Sequence, residues 1–168
     1  MTLVVEDGTG LSTAEAYISE ADADIYFDGT GENVAWDAVV NKEIALRTAA
    51  QHMRAKYGTR WQGRRVRQEQ ALDWPRYNVA DRDGWYVDSD IVPVNVQRAN
   101  AILALKTATD TLSPDQSSPG TIKSEAVKLG SIAETIVYDG GKDQETHYTL
   151  VERLLSEFLE AAGEIFRG

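Results

Sequence analysis

The segment Arg60-Trp61-Gln62-Gly63-Arg64-Arg65-Val66-Arg67, with Ala71-Leu72-Asp73-Trp74-Pro75-Arg76 just after it, constrains this chain more than any other stretch. Two tryptophans left in water cost solubility, so the segment must fold down onto something. The arginines between them can follow only if their guanidinium groups meet acceptors. The segment is too rich in glycine and charge to prolong a helix, and Pro75 holds Trp74 extended. Two arrangements meet these demands. In one, guanidinium groups contact phosphate and the indoles stack on bases. In the other, the arginines fork to carboxylates and stack on the indoles, pinning pieces of protein together.

Charge separates the two. The 168 residues carry a net charge of −10, which opposes a general grip on the phosphate backbone. No Lys or Arg precedes Lys42, and that leader holds Glu6, Asp7, Glu15, Glu20, Asp22, Asp24, Asp28, Glu32 and Asp37. From Arg54 to Arg76 the sign reverses. Such asymmetry favours docking of the two regions, within a subunit or between subunits. The favoured expectation is therefore an interface network of Arg60, Arg64, Arg65 and Arg76 with leader carboxylates, with Trp61 and Trp74 packing the loop down. Nucleic-acid contact by the same block stays open as the alternative.

Periodicity predicts a mainly α protein. Ser12-Thr13-Ala14-Glu15 has the pattern of a capping box, so a first helix is expected over about Thr13–Phe27, stopped by Gly29-Thr30-Gly31. A second is expected over roughly Trp36–Tyr57, with Ile44, Ala45, Ala49, His52, Met53 and Tyr57 on its buried side. Asp81-Arg82-Asp83-Gly84 and Asp88-Ser89-Asp90 are turns, and Pro93 opens a third helix reaching about Leu112. These helices make a core over residues 1–112. A linker follows over 113–121, then a β-hairpin over 122–141, where the period falls to two. Residues 142–168 form an amphipathic helix or arm. Its apolar stripe includes Val151, Leu155, Phe158, Ile165 and Phe166, wide and aromatic enough to anchor on a partner groove or to pack on its own domain.

Catalytic and ligand-binding chemistry finds no foothold. Cysteine is absent, which removes disulfides and thiolate sites and fits a reducing compartment. Neither Gly8-Thr9-Gly10 nor Gly29-Thr30-Gly31 continues into a phosphate-binding loop. His52 and His147 lie far apart, and Asp81-x-Asp83-Gly84 lacks the glycine position and terminal glutamate of a calcium loop. No enzyme, metal or cofactor is expected. The N-terminus has no basic start or apolar core of a secretory signal, and no apolar run is long enough to span a membrane.

The order of signals adds a resemblance. Val5-Glu6-Asp7-Gly8-Thr9-Gly10-Leu11, Ala16-Tyr17-Ile18-Ser19, Ala23-Asp24-x-Tyr26-Phe27 and Trp36 precede the arginine block; Gln70-Ala71-Leu72-x-Trp74-Pro75-Arg76, Asp83-Gly84 and Ile91-Val92-Pro93 follow. This resembles the head-to-tail adaptor proteins of tailed bacteriophages, in the branch often labelled DnaT-like single-stranded DNA-binding protein. The likeness spans about Val5–Leu112 and, more loosely, the hairpin. It implies a structural ring, commonly a dodecamer, that joins the portal protein to the neck or tail completion protein. The ring would sit in the virion neck after assembly in the host cytoplasm, and genomic DNA would pass through its lumen without specific binding. The alternative is a single-stranded DNA-binding protein of phage replication.

Overall fold

A computed structural model describes residues 2–112, 124–129, 132–137 and 147–160. Their order is α1 (Glu20–Thr30), α2 (Asn33–Asp37), α3 (Lys42–Tyr57), β1 (Arg64–Arg65), β2 (Arg76–Tyr77), α4 (Val94–Lys106), β3 (Ser124–Leu129), β4 (Ile132–Val137) and α5 (Thr149–Leu155), which runs into a short 3-10 turn over Ser156–Phe158. The fold is mainly α with a two-stranded antiparallel hairpin, as the periodicity predicts. The chain divides into two compact units, residues 1–112 with 148–168, and residues 113–147. In the second, β3 pairs with β4 from Ser124↔Val137 to Leu129↔Ile132. The expected linker over 113–121 lies outside the described residues.

The leader folds as a strand-like clasp, not a helix from Thr13. Val5 bridges Ala16 in parallel, and the Glu6 amide donates to the Ala16 carbonyl at 2.9 Å. The buried Glu6 carboxylate collects the amides of Gly8 (3.1 Å), Gly10 (2.8 Å) and Leu11 (2.9 Å), closing the first turn. Ala14, Ala16, Tyr17 and Ile18 are all buried, a run too dense for one helical face. Glu15 closes no capping box: its carboxylate takes the Val4 amide at 3.2 Å and the Arg47 guanidinium at 3.0 Å. The helix starts later, where the Ser19 hydroxyl accepts the Asp22 amide at 3.1 Å. Gly31, left-handed with φ 76°, ends it as expected.

The expected second helix is two. The Asn41 side chain accepts the Ile44 amide at 3.0 Å, which caps α3 and separates it from α2. Trp36 of α2 is buried against Phe27, ring centroids 4.9 Å apart, and its indole donates to Asp24 at 2.6 Å. Along α3 the buried face is Ala45, Leu46, Ala49, Ala50, Met53 and Tyr57; Ile44 faces solvent instead. Small alanines let α3 lie close to α4, whose inner face is Val96, Ala99, Asn100 and Leu103. Asn100 is fully buried and joins three segments: its carbonyl oxygen accepts the Tyr17 amide at 2.9 Å, and its amide donates to the Leu46 carbonyl at 3.0 Å.

The C-terminal segment is the largest departure. Where a long helix is expected over 142–168, the helix among the described residues is seven residues, Thr149–Leu155, and Leu159 is already extended. Val151, Leu155 and Phe158, expected to anchor a partner, are buried in the core that α5 shares with α4. These three residues belong to the core of this domain. Ile165 and Phe166 lie outside the described residues.

Asn100→Ala leaves the Tyr17 amide buried without an acceptor, and urea unfolding is expected to show a loss of roughly 2–3 kcal/mol.

Candidate nucleic-acid interface

The arginine block folds around one buried cation. Arg76 lies in β2, which pairs with β1 antiparallel in the register Arg64↔Tyr77 and Arg65↔Arg76. Its guanidinium donates from Nε to the Gln62 carbonyl (2.7 Å), from Nη2 to Gly63 (2.9 Å) and from Nη1 to Asp73 (3.0 Å). Burial costs a guanidinium less when its fork meets fixed acceptors, and three main-chain carbonyls supply them. Gly63 permits the approach: its φ is 64°, and a Cβ there would lie 1.9 Å from the Tyr77 carbonyl oxygen.

Between the strands, the chain wraps the buried Gln70. That side chain donates to the Leu72 and Pro75 carbonyls (2.9 and 3.2 Å) and accepts the Arg67 amide at 3.0 Å. Arg65 donates to the Gln70 carbonyl at 3.0 Å. Beneath lies an aromatic stack. Trp61 meets Trp74 edge-on at 5.8 Å, and Trp74 meets Phe158 at 5.3 Å. The Trp61 indole donates to Asp73 Oδ2 at 3.3 Å, and the Asp73 amide donates to the Tyr17 hydroxyl at 3.0 Å. Burial pushes the Asp73 carboxyl above the usual carboxylate range, against the pull of Arg54, the Trp61 indole and Arg76.

The end of the described chain closes this layer from the side. The Gln62 amide donates to the Phe158 carbonyl (3.0 Å), the Glu160 amide donates to the Arg60 carbonyl (2.7 Å), and Leu159 bridges Trp61. The far segment of the chain thus fixes where the block begins.

What remains outside is basic and aromatic. Arg60, Arg64 and Arg67 are exposed and Arg65 is half-buried. The Arg64 guanidinium sits 5.9 Å above the ring of Tyr77, itself 43% exposed. Directly after β2, residues 79–87 form a hairpin: the Val87 amide donates to the Val79 carbonyl at 2.9 Å, and Ala80 bridges Tyr86. Trp85 and Tyr86 on it are 75% and 77% exposed. The Asp81 carboxylate accepts the Asp83 and Trp85 amides, both at 2.9 Å, so it serves the turn. Among the described residues no cluster of three or more His, Cys, Asp or Glu could hold a metal.

The six residues expected to form a clamp divide by depth. Trp61, Trp74 and Arg76 are buried together; Arg60 and Arg64 face out, and Arg65 lies at the boundary. The leader carboxylates do not supply the acceptors found for Arg65 and Arg76, which are main-chain carbonyls. Glu15 pairs with Arg47 (3.0 Å), and Asp24 and Asp37 pair with Lys42 (2.7 and 3.1 Å). Helix α3 reaches them first, because its cations lie between leader and block. Trp61 and Trp74, at 3% and 0% exposure, cannot stack on bases. The residues that can, Tyr77, Trp85 and Tyr86, were not among those expected. The sequence signal for them is a turn, Asp81–Gly84, followed at once by two aromatics.

A family model described as "Putative DnaT-like ssDNA binding protein" matches residues 1–168, and the chain belongs to that family. No curated protein and no solved structure matches. Membership corrects the expectation of a structural connector. The family is described by single-stranded DNA binding, not by a ring, a portal or neck partner, or DNA that passes without specific contact.

Arg76→Ala removes the donor to three main-chain carbonyls and is expected to cost about 3 kcal/mol in chemical denaturation. Arg64→Ala, at the surface, should stay within about 0.5 kcal/mol of the parent. Because the Asp73 carboxyl is raised, the native state holds its proton more tightly than the unfolded chain. Stability contributed by that proton is present at low pH and is lost as pH rises from the unfolded carboxylate value, about 3.9, through the raised native one. Asp73→Asn should flatten that part of a stability–pH profile.

Proposed function

We propose that this protein binds single-stranded DNA through the outer face of the arginine ribbon, and that it acts by binding, not by catalysis. The observation that carries the reading is the Arg64 guanidinium held 5.9 Å over the exposed ring of Tyr77, with Arg60 and Arg67 also exposed nearby in sequence. Cation and aromatic face together are what an unpaired strand requires. The guanidinium neutralises phosphate, and the ring offers a stacking platform that every base can use. The family's description supports the same reading.

The ribbon also explains how such a surface stays ordered. Arg76 and Gln70 hold its backbone from below, so Arg64 and Tyr77 are presented from paired strands. The overall charge of −10 does not disqualify the patch. Charges farther apart than about 8 Å are largely screened at physiological ionic strength. The leader carboxylates Glu15, Asp24 and Asp37 are moreover engaged by Arg47 and Lys42.

Fluorescence-anisotropy titration with labelled oligo(dT) at several salt concentrations tests the reading. Arg64→Ala should weaken binding and reduce the salt slope by about 0.7, the value for one contact to a single strand. Tyr77→Ala should weaken binding by roughly 1–3 kcal/mol and leave the slope unchanged. No binding by the unmodified chain at low salt would sink the proposal.

A further inference from the structure

We propose that the hairpin over residues 79–87 is a base-stacking finger that selects unpaired over paired DNA; this rests on the binding function argued above. Successive residues of a strand point to opposite faces. Val79 and Val87 face each other, Ala80 faces Tyr86, and the Asp81 amide donates to the Trp85 carbonyl at 2.9 Å. Trp85 therefore lies on the side that Val79 turns into the core, farther out than the core reaches, and Tyr86 lies on the opposite side. Both rings are about three-quarters exposed (75% and 77%), so the tip stands in solvent with an aromatic on each face.

The exposure belongs to an ordered turn. Asp81 holds the tip with its carboxylate on the Asp83 and Trp85 amides, and Gly84 takes φ 86°, which a side chain would strain. Two adjacent large aromatics kept in water by a built turn need an occupant. The surrounding charge indicates which. Asp81, Asp83, Asp88 and Asp90 outnumber Arg82 along this stretch, so phosphates are unwelcome here. The outward arginines Arg60, Arg64 and Arg67 lie just upstream. Phosphates settle on the ribbon arginines, one base stacks on Tyr77, and other bases of the strand swing to the finger. A single strand can do both at once. A duplex keeps its bases paired and presents phosphate to the aspartates, so it gains nothing from the rings.

Trp85 reports on itself. Of the four tryptophans, Trp36, Trp61 and Trp74 are buried and Trp85 is exposed. Adding oligo(dT) to the unmodified chain should quench the solvent-exposed, red-edge part of its tryptophan emission, and Trp85→Phe should abolish that change. In anisotropy titrations, Trp85→Ala with Tyr86→Ala should lower single-strand affinity by about 5- to 150-fold per stacked base, with the salt slope kept and duplex affinity unmoved. Circular dichroism should match the parent. Unaltered emission on oligonucleotide binding, or an equal loss of single-strand and duplex affinity, overturns the finger while leaving the ribbon in place. If the unmodified chain binds no oligo(dT), the binding function itself fails and the finger with it.

Discussion

The Arg76 guanidinium is the contact on which the rest of the site depends. It ties Gln62, Gly63 and Asp73 to one strand by three charge-assisted hydrogen bonds. Only because those carbonyls converge can Gly63 pass within contact of Tyr77 and β1 pair with β2. Pairing sorts the remaining side chains. Trp61 and Trp74 go down into the stack with Phe158, while Arg64 and Tyr77 come up into solvent. A lysine could not replace it. One ammonium on a flexible stem has no planar fork to hold three separated carbonyls in fixed directions.

An acidic chain can thus carry the proposed DNA-binding face without contradiction. Net charge governs long-range approach, whereas a bound strand feels the charges within about one screening length. Here α3 spends Lys42 and Arg47 on leader carboxylates, and the arginine block is left free of that duty. The sign asymmetry visible along the chain is real, but it is resolved through α3 and not by the block.

Much of the fold was legible in the residues. Gly31 as a helix stop, α4 opening after Pro93, the turn at Asp81–Gly84 and the β3–β4 hairpin follow from local chemistry, and each stands where it was expected. The misses share a cause, which is competition from a distant partner. Ser12 and Glu15 look like a capping box, yet Glu15 has Val4 and Arg47 to serve, and Tyr17 has Asn100. The terminal stripe has helical spacing throughout, yet main-chain bonds from Phe158 and Glu160 to the block end the helical run near Leu155. For the site, the residue types were legible and their depth was not. Arg64 and Arg76 look alike in sequence; a cross-strand register and a buried Gln70 decide which one faces out. Tyr77 gains meaning only from its partner Arg64 across the ladder.

In the proposed function an unpaired strand lies on the outer face of the β1–β2 ribbon. Ultraviolet cross-linking of the unmodified chain to a photoreactive oligo(dT), followed by peptide mapping, tests it most directly. Adducts are expected on Tyr77 and on the exposed Trp85 or Tyr86 of the following hairpin, and none on the acidic leader or along α1. Adducts concentrated on the helices, with the ribbon clean, would contradict it.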